Sequence, residues 1–166
     1  MSTQTCPCGF YNHPDRECTC APGIVQKYLS KISGPLLDRI DLHVEVTPVS
    51  FNALSSSREA ERSSEIRARV MKARAWQEKR FMEDKHLHFN AQMSPNRVRQ
   101  ICEIDDMGQA LIKRAMEKLG LSARAYDRIL KVARTIADLA ESVRIKPEHL
   151  AEAIHYRSLD RDSWAG

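Results

Sequence analysis

The second half of the sequence is punctuated as a helical bundle, and that punctuation constrains the fold more than any other feature. Ser94-Pro95 is a helix start, a capping hydroxyl followed by proline at the first helical position. The helix it opens is expected to run to about Cys102, whose thiol beside Ile101 reads as a core group. Asp105 or Asp106 caps the next helix, Met107, Leu111, Ala115 and Leu119 form its inward stripe, and Gly120 stops it. Ser122 caps a longer helix to about Glu141, with Ile129, Val132, Ala133, Ile136, Leu139 and Ala140 inward. Lys146-Pro147 opens a last helix that turns Leu150, Ala151 and Ile154 toward the core. Aromatic residues make up only 6% of the chain, so aliphatic and alanine side chains must fill that core. Residues 157–166 are polar and are expected to fray after about Arg161.

The N-terminal end carries different chemistry. Residues 6–20 read Cys-Pro-Cys-Gly-Phe-Tyr-Asn-His-Pro-Asp-Arg-Glu-Cys-Thr-Cys, two C-x-C pairs at the ends of one short loop. No apolar run is long enough to cross a membrane and no signal-peptide pattern opens the chain, so a cytoplasmic location is expected. A reducing compartment disfavours two disulfides. Four thiolates from Cys6, Cys8, Cys18 and Cys20 can instead close a tetrahedral zinc site, with Gly9 and Pro14 supplying turns. Zinc ranks ahead of a disulfide pair and an iron–sulfur cluster ranks last, while His13 is a minor alternative ligand. Such a site is structural, because four thiolates leave no open position.

Between these two regions lies a sharp junction. Val25, Tyr28, Leu29 and Ile32 make one stripe of a short helix over 24–33, which Gly34 ends and after which Pro35 starts another turn. Leu42, Val44 and Val46 then alternate with His43, Glu45 and Thr47, the pattern of a strand with one buried face. Arg39 sits where helix meets strand. By itself it reads as a surface residue paired with Asp38 or Asp41. Pro48 and the serines at 55–57 mark a loop. A long helix over 58–82 follows, with eight Lys/Arg and four Glu between Ser57 and Arg80. Its apolar stripe of Ile66, Val70, Ala73 and Phe81 is thin and interrupted by Gln77. Arg67, Arg69, Lys72 and Arg74 could touch DNA phosphates, though a merely solvated face explains them slightly better. The mild net charge of +4 permits an acidic partner without requiring one. Residues 86–93 read as a linker in which His86 and His88 are ordinary surface residues.

The string Gly34-Pro-Leu-Leu-Asp-Arg-Ile-Asp-Leu-His-Val-Glu-Val46 resembles the arginine-finger segment of magnesium-chelatase-like AAA+ ATPases, and most closely the ComM/YifB (competence-related) family. "LSARAYDRILKVARTIADL", starting at Leu121, resembles the second-sensor helix of the same group, and "AEAIHYRSLDR" near the end also matches. The resemblance covers about residues 6–161 in one order. It implies that Arg39 is an arginine finger acting across a subunit boundary, and that Arg124 contacts an ATP phosphate as second sensor. It further implies a homo-oligomeric ring of neighbouring subunits, a hexamer, with ATP and magnesium as cofactors and ATP hydrolysis coupled to DNA remodelling. Magnesium insertion into a porphyrin is the chemistry of a distant relative, and the cysteine loop and the "SARAY" string point away from it.

The sequence holds no G-x-x-x-x-G-K-[ST] phosphate loop and no hydrophobic run ending in Asp-Glu. The resemblance therefore implies the C-terminal piece of a longer ATPase, inactive alone. Gln4-Thr5 stand where the family has Asn-Pro, so no first-sensor Asn is offered.

The expected architecture is mainly α, with about four helices in a C-terminal lid, a long insert helix, a short β-strand and a cysteine-rich zinc loop. Its divisions are an added start at 1–5, the zinc loop at 6–23, the finger segment with its strand at 24–57, the insert helix and linker at 58–93, the lid at 94–161 and a tail at 162–166. The rival reading is a stand-alone zinc-containing module that binds nucleic acid, or a helical interaction domain, with no nucleotide role.

Overall fold

The structure is a computed structural model that describes residues 6–46, 48–49 and 60–157. Among these residues it contains seven helices: α1 (Pro22–Leu29), α2 (Gly34–Leu37), α3 (Ser63–Arg80), α4 (Pro95–Ile101), α5 (Asp106–Leu119), α6 (Ala123–Leu139) and α7 (Pro147–His155). A 3₁₀ turn, Asn90–Gln92, lies between α3 and α4. No described helix is long and apolar enough to cross a membrane.

The helix starts are fixed by local chemistry. Ser94, Asp105 and Ser122 each hold extended backbone and accept a hydrogen bond from the amide three residues on. Each such cap contributes about 1 kcal/mol. Gly120 ends α5 in the left-handed region at φ 58°, a conformation costly for any residue with a Cβ.

The long α6 is the centre of the bundle and packs against α7, α3, α4 and the 3₁₀ turn, while α5 packs on α7. Ile129, Leu130, Ala133 and Ala137 of α6 are buried with Leu150 and Ala153 of α7, Ile112 of α5 and Cys102 after α4. Gly108 lets α5 approach α7 closely, since a Cβ there would lie 2.8 Å from a methyl of Leu150. A second, smaller core joins Cys6, Val25 and Leu29, so the cysteine loop packs on α1.

Several expectations fail in informative ways. The strand over 42–47 does not form within 42–46, and position 47 lies outside the described residues. A strand needs a partner for its ladder and a core for its apolar face, and here Leu42, Val44 and Val46 are exposed while His43 is the half-buried one. Gly34 does not end α1, which stops at Leu29 with Ser30 as its cap; Gly34 opens α2 instead.

The inward stripe of α5 passes through Gly108 and Ile112, leaving Met107 at 68% exposure. At the end of α6, Leu139 and the capping Ala140 are exposed, and Arg134 and Asp138 are buried in their place. In α7, Ala151 is exposed and Ala153 buried. Gln77 does not interrupt the buried edge of α3 but belongs to it with Ala73, whereas Ile66 and Val70 face solvent. The helix expected from 58 starts only at Ser63, after non-helical residues 60–62, with Arg62 in extended backbone as its cap; positions 58–59 and the polar tail after 157 lie outside the described residues.

Candidate functional site

The cysteine loop is built by two left-handed residues, Gly9 at φ 81° and Asn12 at φ 61°, which fold the chain back on itself. The Gly9 N–H donates to the Cys6 carbonyl, and the Tyr11 N–H points at the Cys6 sulfur from 3.3 Å. All four sulfurs of Cys6, Cys8, Cys18 and Cys20 lie within 4.8 Å of one another. Three of the spacings are 3.3, 3.7 and 3.5 Å. A tetrahedron of sulfurs around zinc, with Zn–S of about 2.3 Å, has edges of about 3.8 Å. A disulfide needs about 2.0 Å, and all five cysteines are free thiols.

The donor set therefore fits one tetrahedral thiophilic ion. A hydrogen bond from the Phe10 backbone, joined by others from Cys6, Thr19 and Cys18, lowers the Cys8 thiol to about 5 despite burial. The Cys20 backbone also lowers Cys18, but burial and the thiols of Cys8 and Cys6 outweigh it and push Cys18 to about 12. A bound cation would supply the field that keeps these thiols deprotonated as ligands. His13 stays outside this set, its Nδ1 accepting the Asp15 N–H at 3.1 Å. Cys102 stands apart in the bundle, pushed up to about 12 by burial and so unreactive.

The second region is the turn that carries Arg39. Pro35 sets the first turn of α2, and residues 38–39 continue it. Arg39 is exposed, and its Nη1 donates to the Pro35 carbonyl at 2.8 Å. It does not take either neighbouring carboxylate. Asp38 faces Arg157 at 3.9 Å, and Asp41 pairs with Arg128 of α6. Arg157 also donates to the Ile40 carbonyl, and the His43 N–H donates to the Tyr156 carbonyl at 2.8 Å. Both acidic neighbours are thereby tied to the helical bundle, leaving the guanidinium of Arg39 exposed.

Arg124 is exposed in the first turn of α6, beside the Ser122 cap. Its companions on that face are occupied, Arg128 with Asp41 and Lys131 with the Ala91 carbonyl at 3.0 Å. The basic face of α3 is similarly committed. Arg69 pairs with Glu61 at 2.6 Å, Lys72 with Glu141 at 2.9 Å, and Arg74 stacks on the Phe89 ring at 3.9 Å. Of the four cations considered for DNA phosphates, only Arg67 is exposed with no such contact among the described residues.

Sequence reading missed a buried polar network that ties α3 to α6. Asp138 accepts from Arg80, Arg134 and Asn90, while Asn90 also donates to Thr135 and its N–H to the Gln77 side chain. The interrupting Gln77 was its visible trace.

Residues 60–157 match the family described as magnesium chelatase, subunit ChlI C-terminal, and residues 1–54 match magnesium chelatase, subunit ChlI. The chain is similar to competence protein ComM of Haemophilus influenzae, 39% identical over 142 residues, covering 85% of this chain and 27% of that protein. It is also similar to the uncharacterized protein YifB of Escherichia coli, 38% identical over 156 residues, covering 93% and 29%. An uncharacterized protein of Mycobacterium tuberculosis is 32% identical over 157 residues, covering 95% and 30%. The chain thus spans less than a third of the length of these relatives.

Proposed function

The chain belongs to the magnesium chelatase ChlI family, and from that premise we propose that it is the finger-and-lid portion of a ring-forming AAA+ ATPase. Arg39 is the arginine finger of this reading. Phosphoryl transfer spreads negative charge over the transferred oxygens, and a guanidinium neutralises it without losing its own proton. The observation that carries the proposal is the state of Arg39. It is exposed on a turn whose carboxylates, Asp38 and Asp41, are both engaged by arginines of the bundle. A surface ion-pair residue would take one of those carboxylates.

Arg124 is the second sensor, placed where the free amides of a helix start already favour an anion. Residues 94–157 form the lid and α3 the insert helix. Zinc is held by Cys6, Cys8, Cys18 and Cys20, and supplies a structural cross-link that a loop with a three-residue apolar core otherwise lacks. The phosphate loop that would grip ATP and its magnesium is not among these 166 residues, so they would add only the finger and sensor contacts. DNA is the substrate being remodelled in this reading, as the resemblance of the sequence implies. Three of the four candidate cations on α3 are paired or stacked, so this helix serves better as a spacer between finger and lid than as a DNA-binding surface.

The test is Arg39→Ala in the full-length protein. Hydrolysis should fall by on the order of 10³-fold while ATP affinity holds, because the charge Arg39 neutralises develops in the transition state. An unchanged rate would return Arg39 to an ordinary surface residue.

A further inference from the structure

The contacts around Arg39 form a pattern that a surface turn does not need. Arg157, only 1% exposed, reaches both residues that flank Arg39. It donates to the Ile40 carbonyl and stands 3.9 Å from the Asp38 carboxylate. Next to it, the Tyr156 carbonyl receives the His43 N–H at 2.8 Å. On the other side, Asp41 is held by Arg128 of α6. Arg128 is one helical turn from Arg124, so the two share a face of α6. The segment 38–43 is therefore fastened at four points to α6 and to the end of α7, while Arg39 itself makes its hydrogen bond only within its own turn.

We propose that Arg157 and Arg128 are positioning residues that clamp the Arg39 turn to the lid, so that movement of the lid re-aims the finger. A guanidinium suits the Arg157 position because its planar fork addresses a carbonyl and a carboxylate from two nitrogens in a fixed geometry, whereas an ammonium must reach both from one nitrogen with rotating donors. The route from Arg124 to Arg39 is short and made of stiff parts: one turn of α6, the Arg128–Asp41 pair, and two residues of backbone. A lid that responds to nucleotide in one subunit thereby sets the finger offered to the next. This inference rests on the finger reading of Arg39, and its test separates the two.

The first arm uses the 166-residue chain and follows amide hydrogen exchange. Arg157→Lys should speed exchange at the His43 amide about tenfold or more, while amides of Ile129 and Leu130 in the bundle core keep their protection. Asp41→Asn, at a half-exposed side chain that does not threaten folding, should loosen the same segment. The charge swap Asp41→Arg with Arg128→Asp should restore it. The second arm uses the full-length ring. Arg157→Lys and Asp41→Asn should each lower kcat about tenfold with KM for ATP unchanged, and the charge swap should recover most of the loss. Wild-type exchange over 38–43 in both single variants would show that no clamp exists. Faster exchange with normal kcat, in a protein that Arg39→Ala inactivates, would show that the clamp does not position the finger. If Arg39→Ala itself leaves turnover normal, the finger reading fails and the positioning role falls with it.

Discussion

Replacing Asp138 by Ala should strongly destabilise the lid. The Asp138 side chain is fully buried, and both oxygens are saturated. One accepts from Arg80 Nη2 at 2.5 Å and Arg134 Nε at 3.1 Å; the other from Arg80 Nη1 and Asn90 Nδ2, each at 2.8 Å. Removing the carboxylate leaves two guanidiniums facing each other without a counter-charge. Arg134, 3% exposed, keeps only its bonds to the Ser142 and Val143 carbonyls.

Breaking a buried pair from one side costs about 3–5 kcal/mol. For a domain of 60–100 residues each kcal/mol is worth about 4–8 °C, so Tm should fall by more than about 12 °C. Arg80→Met should cost less, about 1–3 kcal/mol, since Arg134 and Asn90 still satisfy the carboxylate. Circular dichroism melts and urea titrations of the chain measure both. The two changes should be strongly non-additive, because they remove members of one network. A loss below about 1 kcal/mol for Asp138→Ala would mean that the network is solvated and does not fasten α3 to the lid.

Two other measurements follow from the site chemistry. Protein purified without chelator should carry about one zinc per chain. Stripping it should expose Cys6, Cys8, Cys18 and Cys20 to thiol reagents and loosen residues 6–29, while Cys102 stays unreactive and the lid stays folded; four freely titrating thiols with no metal would end the zinc reading. His149 gives a pH signature. Burial lowers its pKa below 6.5, and its Nδ1 accepts the Lys146 N–H at 3.1 Å. The neutral form is favoured in the fold, so its contribution is fully present above pH 6.5 and is lost as pH falls through 6.5 toward the depressed value. His149→Gln keeps an acceptor at that position and should flatten the acid limb of a Tm-against-pH profile; an unchanged limb would assign it to other groups.

The sequence disclosed what short-range chemistry decides. Ser94, Asp105, Ser122 and Gly120 mark helix ends through bonds that span three or four residues, and all four lie where their types require. The C-x-C pairs likewise announce a cluster, because a fifteen-residue loop has few ways to keep four thiols apart. Three kinds of feature were hidden. The phase of a stripe can slip by one residue when a small residue permits closer packing, as Gly108 does in place of Met107. A charged residue reads as solvent-facing until its partner is known, which concealed Arg134 and Asp138. The alternation at 42–46 states a capacity to form a strand, and a strand is realised only against a partner. The clamp joins Ile40 to Arg157, 117 residues apart, and no local pattern could have shown it.

In the proposed ring, Arg39 serves a neighbour's nucleotide and not its own. Rings mixed from full-length subunits test it directly. One parent carries Arg39→Ala, and the other an intact Arg39 with its phosphate-loop lysine replaced. Each parent ring alone should be inactive. In an equal random mixture, an intact site next to an intact finger occurs at about one quarter of positions whatever the ring size, because ring interfaces run head to tail. Recovery toward about a quarter of wild-type turnover is the predicted result. A mixture as inactive as its parents would contradict action across the subunit boundary.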